Sequence, residues 1–287
     1  MVHSGNFAIL QDRIWKEKKC EKHMQSIRKT LVIPDVHHRI KGVQNILDSV
    51  KDYDEVVFLG DFFDSFLEPP IVAGFSDTCE YLKHLVLEHP SKDKFKFLVG
   101  NHDMLYIYCN NGKSDKRVAQ IRAYHCSGFT NNKAKKFRKC FYDQGFKDDF
   151  FIDNFRIAYK TQGFTLSHAG FHERHIPAMR DFDYVLNEIV PDVWKNFRNL
   201  NHQYNWILSG AGYCRGGFLS VGGALWLDWN QEFIASEHIG KQIVGHTRSL
   251  DGPKCIYPNT EKESWNIDTE QHYGIIKDGK FKTKYIP

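Results

Sequence analysis

The sequence predicts an α/β fold with parallel strands, on two observations. The first is alternation. Residues 31–33, 56–59 and 95–99 are apolar, strand-like runs. Between them, residues 40–50 place Ile40, Val43, Ile46, Leu47 and Val50 on one helical face, and residues 76–89 do the same with Cys79, Leu82, Leu85 and Val86. Strands joined through helices of this length pair in parallel. The second observation is where the runs stop. Each of these three, and two later ones at residues 164–166 and 243–244, ends at a block of metal-ligating residue types. Open α/β sheets gather their ligands at the carboxyl ends of strands, so the five blocks are expected to converge.

The other segments are read in chain order. Residues 1–29 form a charged N-terminal extension with helical character; Ser4 or Asn6 can cap it, and Phe7, Ile9, Leu10, Ile14 and Trp15 can dock on the body. Residues 30–287 form the main domain. A helical insertion at about 104–149 interrupts it, rich in lysine, arginine, cysteine and aromatics. Within it residues 131–139 carry four lysines and an arginine, read first as a solvated helix face and second as a lid or a docking surface for an anionic partner. Residues 150–167 read as two strands, and 184–209 as helix with a break near Pro191. Six glycines in residues 210–223 mark a loop able to approach a substrate closely. The last third returns to strands and ends in a hairpin at Asp278-Gly279.

With 287 residues, 41% of them hydrophobic, the chain can bury a substantial core. The net charge of +4 suits anionic substrates without the concentrated basic face of a dedicated nucleic-acid binder. Seven cysteines, an odd number with no C-x-x-C pair, argue for reduced thiols and against a zinc finger. The N-terminus has no apolar leader, and no segment approaches the about 20 apolar residues of a membrane span. The expectation is a soluble, cytoplasmic protein with no membrane partner.

The blocks are Asp35-Val36-His37, Gly60-Asp61-Phe62-Phe63-Asp64, Gly100-Asn101-His102-Asp103, Ser167-His168 and Gly245-His246-Thr247. Where a strand ends and turns, Asp35 and His37 can reach one ion. Asp61 is suited to bridging two ions, and Asn101, His168 and His246 offer neutral oxygen and nitrogen ligands. This mixed set fits Mn²⁺, Fe or Zn²⁺ better than Ca²⁺ or a thiolate site. Two cations about 3.5–4 Å apart can hold a bridging hydroxide and clamp a phosphate for in-line attack. His102 can protonate the leaving alkoxide, with Asp103 orienting its imidazole. Taken singly, each block has a plainer reading. Asp35 can cap a helix, His37-His38 can be a surface pair, Gly60-Asp61 and Gly100-Asn101 can be turns, and His168 can be a core histidine. Those plain readings must hold independently at five strand ends, which is why they fail together.

In this order the blocks resemble the hallmark series of the calcineurin-like metallophosphoesterase superfamily, D-x-H, G-D-x-x-D, G-N-H-D/E, a lone histidine and G-H-x, over about residue 30 to the C-terminus. Gly245-His246-Thr247 and Trp265-Asn266-Ile267-Asp268-Thr269 resemble most the branch of Ser/Thr phosphoprotein phosphatases and diadenosine tetraphosphatases. The resemblance implies two mixed β-sheets flanked by helices, with two divalent metals at the strand ends. Asp35 and His37 would bind the first metal, Asp61 would bridge, and Asn101, His168 and His246 would complete the second site. His102 would be the acid, supported by Asp103, and Asp64 a carboxylate behind the ligands. Two departures stand out. Ser65 follows Asp64 where the branch has a phosphate-gripping arginine, and Arg248 stands where other members have a second histidine. Arg215, Arg39 and Arg248 are candidate replacements for the missing grip. Trp226 is expected to pack in the core, and Asp228 to support the site.

The implied function is a metal-dependent phosphoesterase acting on phosphomonoesters of proteins or nucleotides. The alternatives are a phosphodiesterase or dinucleotide-polyphosphate hydrolase, an inactive scaffold, and a nucleic-acid binder using Lys133 to Lys139.

Overall fold

A computed structural model describes residues 28–65, 67, 69–109, 126–199, 201–237 and 239–287. Residues 1–27 of the expected helical extension over 1–29, and residues 110–125 of the insertion, lie outside the described residues; Lys29, the last of that extension, opens the first strand.

Two mixed sheets stack face to face. The first has six strands in the order β11-β10-β1-β2-β3-β4, using β1 (Lys29–Ile33), β2 (Glu55–Phe58), β3 (Phe95–Leu98), β4 (Phe155–Arg156), β10 (His272–Lys277) and β11 (Lys280–Tyr285). Its centre is parallel, as the alternation requires: Leu31 pairs with Val56 and Phe58 with Phe97 in parallel registers. The second has five strands in the order β5-β6-β7-β9-β8, from β5 (Ala158–Thr161), β6 (Phe164–Ser167), β7 (Gln242–Val244), β8 (Lys254–Ile256) and β9 (Ser264–Asn266).

Period-two alternation divides the core. Val32, Val57, Leu59 and Leu98 from the first sheet meet Phe164, Leu166, Ile243 and Ile267 from the second in one buried layer between the sheets. Their neighbours Leu31, Ile33, Val56, Phe58 and Phe97 point the other way, into a larger core under the helices. Both faces of the central strands are therefore covered, which explains continuous apolar runs where a one-sided sheet would alternate.

The crossover helices are α1 (Ile40–Ser49) and α2 (Phe75–Leu87), each burying the face read from the sequence. Helix α3 (Asn101–Cys109) follows β3 directly. Helix α4 (Asn131–Cys140) begins at Thr130, whose side chain accepts the Lys133 N–H, and buries Ala134, Phe137 and Cys140. Helix α5 (Asp148–Asn154) occupies part of the stretch expected as strand; Phe150 and Phe151 join the aromatic packing from a helix, and the strands start only at Phe155. Pro191 does not break its helix. It sits in the first turn of α6 (Val190–Lys195), where the missing N–H costs nothing, after a wide π-turn at Val185–Ile189. The C-terminal hairpin turns at Asp278 and Gly279, both with positive φ (53° and 70°).

Among the described residues no helix is long and apolar enough to cross a membrane.

Candidate metal centre

The five blocks meet at the carboxyl ends of the strands, on the seam between the two sheets. Backbone hydrogen bonds beyond the strands zip the loops together. The loop after β1 pairs with the loop after β2 through His37 N–H to Asp61 O (2.7 Å) and His38 N–H to Phe62 O (3.0 Å). In the second sheet Gly245 N–H reaches His168 O (2.8 Å). His168 then joins the sheets, because its Nδ1 bonds the Leu59 carbonyl at 2.9 Å.

These contacts force unusual backbone. His37, His38, Asp61, Asp64 and His246 all have φ between 43° and 64°. Left-handed conformations of non-glycine residues cost about 1–3 kcal/mol each and persist where surrounding structure over-determines them. Phe62 and Phe63 supply part of that surrounding structure. Phe62 packs on Phe58, Phe97 and Phe155, and Phe63 on Phe75, Tyr106 and Phe137. Two phenylalanines inside the G-D-x-x-D block thus fasten the two aspartates on either side. Gly100 is held to glycine by the same crowding: a Cβ there would lie 2.0 Å from Asp61 Oδ1.

Two clusters of potential ligands result, Asp35–His37–Asp61 and Asp61–His168–His246, each with its ligand atoms within 4.8 Å of one another and Asp61 common to both. Asn101 completes the second: its Oδ1 lies 2.8 Å from His168 Nε2 and 2.9 Å from His246 Nδ1. All six expected ligands are thus brought together.

The donor chemistry fits cations. A carbonyl only accepts, so the Leu59 contact puts the His168 proton on Nδ1 and turns the Nε2 lone pair toward Asn101 Oδ1, itself an acceptor. Nδ1 of His37 is likewise engaged by the Phe63 carbonyl at 3.1 Å, leaving Nε2 for the cluster. Asp35 Oδ1 is buried with no hydrogen-bond partner. Burial drives the His37 and His168 pKa values down to about 3 and that of His246 well below its ordinary value, so all three imidazoles are neutral, the form that binds metal. Burial, and then the neighbouring carboxylates (Asp268 for Asp35, Asp35 for Asp61), pushes both aspartates well above the usual range. Acceptors and acids packed this closely call for positive charge.

His102 sits at the mouth. The sequence suggests Asp103 as its partner, and the structure corrects this. Both Asp103 oxygens are taken by backbone, Oδ1 by Phe62 N–H (2.8 Å) and Oδ2 by Gly100 N–H (3.0 Å). The carboxylate on His102 Nδ1 is Asp64, at 2.9 Å. A helix turn places adjacent side chains about 100° apart, so Asp103 faces inward while His102 faces the cleft. Asp64 also accepts from Tyr106 Oη (2.8 Å) and Lys133 Nζ (2.9 Å), and these three donors hold its carboxyl below the usual range despite burial. Its backbone is pinned by His38, whose Nε2 accepts the Asp64 N–H while Nδ1 bonds Thr78 Oγ1. His38 is therefore a strut in the loop and stands apart from the ligand clusters.

The clusters open into a cleft of about 400 Å³ lined by ligand residues and by Arg39, Arg215, Arg248, Trp226, Asp268 and Glu270. The three candidate arginines differ. Arg39 donates from Nε to Val36 O and from Nη2 to Asp35 O, and its buried Nη1 has no partner. Arg215 is held by Asp228 (2.9 Å) and Thr247 Oγ1 (2.7 Å), and its buried Nε has no partner. Arg248 is about half exposed and paired with Glu270. Trp226 is buried as expected, and it also meets the His246 ring edge-on at 6.0 Å. Crowding within the protein holds glycines in residues 210–223, where a Cβ on Gly217 would lie 2.1 Å from Ala211 O, and the same loop brings Arg215 to the cleft.

Sequence reasoning read Lys133 only as one cation of the 131–139 face and gave no role to Tyr106, Asp268 or Cys126. Lys133 and Tyr106 act through tertiary contacts that leave no local signal. Cys126 accepts the Asn101 Nδ2–H at 3.2 Å, which orients the amide oxygen toward the histidines. Asp268 was visible inside the Trp265–Thr269 block. It is buried, its pKa is raised to about 6 by burial, and Arg39, Arg248 and Arg215 oppose that rise.

The family described as calcineurin-like phosphoesterase matches residues 28–249. No curated protein sequence matches the chain. Among solved structures, the cold-active protein-tyrosine phosphatase of a psychrophile, Shewanella sp., is similar at 15% identity and TM-score 0.52, over 90% of this chain and 80% of that one. A second structure titled as a cold-active protein tyrosine phosphatase gives 14% identity and TM-score 0.50, over 90% and 79%. A protein serine/threonine phosphatase from Saccharomyces cerevisiae gives 12% and 0.44, over 91% and 80%. At these identities the likeness to the two cold-active phosphatases is one of fold.

Proposed function

This chain belongs to the calcineurin-like phosphoesterase family, and from that premise we propose that it hydrolyses phosphomonoesters, of phosphoproteins or nucleotides, with two divalent cations, manganese first among them. The observation that carries the reading is Asp61, which is shared by both ligand clusters. Asp35 and His37 would hold one cation, Asn101, His168 and His246 the other, and Asp61 both. When bound, the pair supplies charge for the phosphoryl oxygens and lowers the pKa of water so that a nucleophile exists near neutral pH.

The protein's own side chains supply the rest. Arg39 and Arg215 line the cleft and bring fixed positive charge toward a bound phosphate. His102, oriented from behind by Asp64, donates its Nε2 proton to the leaving-group oxygen as the P–O bond breaks and that oxygen keeps the electron pair; water oxygen takes its place on phosphorus. Trp226 and the loop at Ser127-Gly128 wall the cleft. The six described cysteines are free thiols, which supports placing the protein in a reducing cytoplasm.

The test is hydrolysis of p-nitrophenyl phosphate by metal-stripped protein resupplied with Mn²⁺, set beside bis-p-nitrophenyl phosphate and diadenosine tetraphosphate. Preference for the monoester supports the reading. Preference for a diester or dinucleotide moves the assignment to the alternative, and inertness toward all three with every metal overturns both.

A further inference from the structure

Helix α4 sends one side chain to the catalytic pair. Lys133 Nζ lies 2.9 Å from Asp64 Oδ1 and 2.8 Å from the Gly128 carbonyl. Asp64 is 2% exposed. Its Oδ1 is pinned from two directions, by Lys133 and by Tyr106, which leaves Oδ2 facing His102 Nδ1. Tyr106 shares helix α3 with His102 and moves with it. Lys133 comes from a separate helix and fixes the carboxylate plane against an independent reference. That helix is itself well seated: Phe137 is fully buried and packs on Phe63, Tyr106, Phe141 and Phe151.

We propose that Lys133 is a positioning residue that acts through Asp64 to aim the His102 imidazole at the leaving-group oxygen. The proposal rests on the phosphoesterase reading above. The remaining cations of α4, Lys135, Lys136, Arg138 and Lys139, are exposed and take no part. Without the ammonium group, Asp64 keeps only Tyr106 on Oδ1, its plane is free to turn, and the imidazole turns with it. A leaving group that needs a proton then suffers, and one that departs as a stable anion does not.

The experiment compares p-nitrophenyl phosphate, whose leaving group needs little protonation, with phenyl phosphate, whose leaving group needs more. In Lys133→Met, kcat on phenyl phosphate should fall about 10-fold and on p-nitrophenyl phosphate by less than about 2-fold, with both KM values unchanged. In an Asp64→Asn background the same substitution should add nothing. Lys133→Gln, which keeps a donor without the charge, is the second variant should the first not fold. Equal falls on both esters, no fall on either, or a selective fall that persists in the Asp64→Asn background would each overturn the proposal. Hydrolysis by the unsubstituted protein tests the underlying reading separately, so the two can fail independently.

Discussion

His168 and Asn101 face each other acceptor to acceptor: Nε2 lies 2.8 Å from Oδ1 while Nδ1 of the same ring is bound to the Leu59 carbonyl. Two lone pairs at that separation are unfavourable unless a cation lies within reach of both. Asp61 Oδ2, at 3.4 Å from the same Nε2, adds a third acceptor to the group. Asp61→Asn halves the charge of the two clusters together, and it should lower kcat on p-nitrophenyl phosphate by more than about 100-fold, measured at saturating Mn²⁺.

Asp64 and Asp103 separate cleanly by experiment. Asp64→Asn removes the charge that aims His102 and turns an amide N–H toward one side of its three donors, so kcat on phenyl phosphate should fall about 100-fold. Asp103→Asn leaves one of two buried backbone N–H groups, on Phe62 or Gly100, without an acceptor. It should lower unfolding free energy by about 1–3 kcal/mol, with less effect on rate than Asp64→Asn. Urea titration and steady-state kinetics on both variants check this.

The arginines are expected to rank by burial. Arg215→Gln should raise KM for p-nitrophenyl phosphate about 10-fold and for the diester less, because the monoester dianion gains more from a fixed guanidinium. Arg248→Gln should change KM by less than about 2-fold, since that side chain is spent on an exposed pair with Glu270.

His175 makes the fold sensitive to acid. It is fully buried, accepting the His172 N–H at Nδ1 and bonding Gly222 O through Nε2, and burial drives its pKa from 6.5 down to about 4. The folded state therefore binds fewer protons than the unfolded one between those values. Its contribution to stability is complete above pH 6.5 and is lost as pH falls toward 4, on the order of 3 kcal/mol across the window. Unfolding free energy of His175→Gln, measured against pH and compared with the unsubstituted protein, should show a shallower slope in that range.

Much of this was legible in the sequence because the candidate ligands follow strands, and strands announce themselves by apolar runs. Asp35, Asp61, Asn101, His168 and His246 each sit within three residues of the end of a strand. The partner of His102 was misread because adjacency in sequence is not adjacency on a helix: Asp103 is next in the chain, but Asp64, 38 residues away, is next in space. Lys133, 69 residues from Asp64, has no local pattern at all. Helix α5 was read as strand because Phe150 and Phe151 carry β propensity that tertiary packing overrides.

Calorimetric titration of the metal-stripped protein with Mn²⁺ reaches the central claim without any substrate. Two ions should bind per chain, with weakened uptake at both sites in Asp61→Asn. A chain that takes up no ion at millimolar Mn²⁺, or one whose uptake is the same with and without the Asp61 carboxylate, would contradict the account.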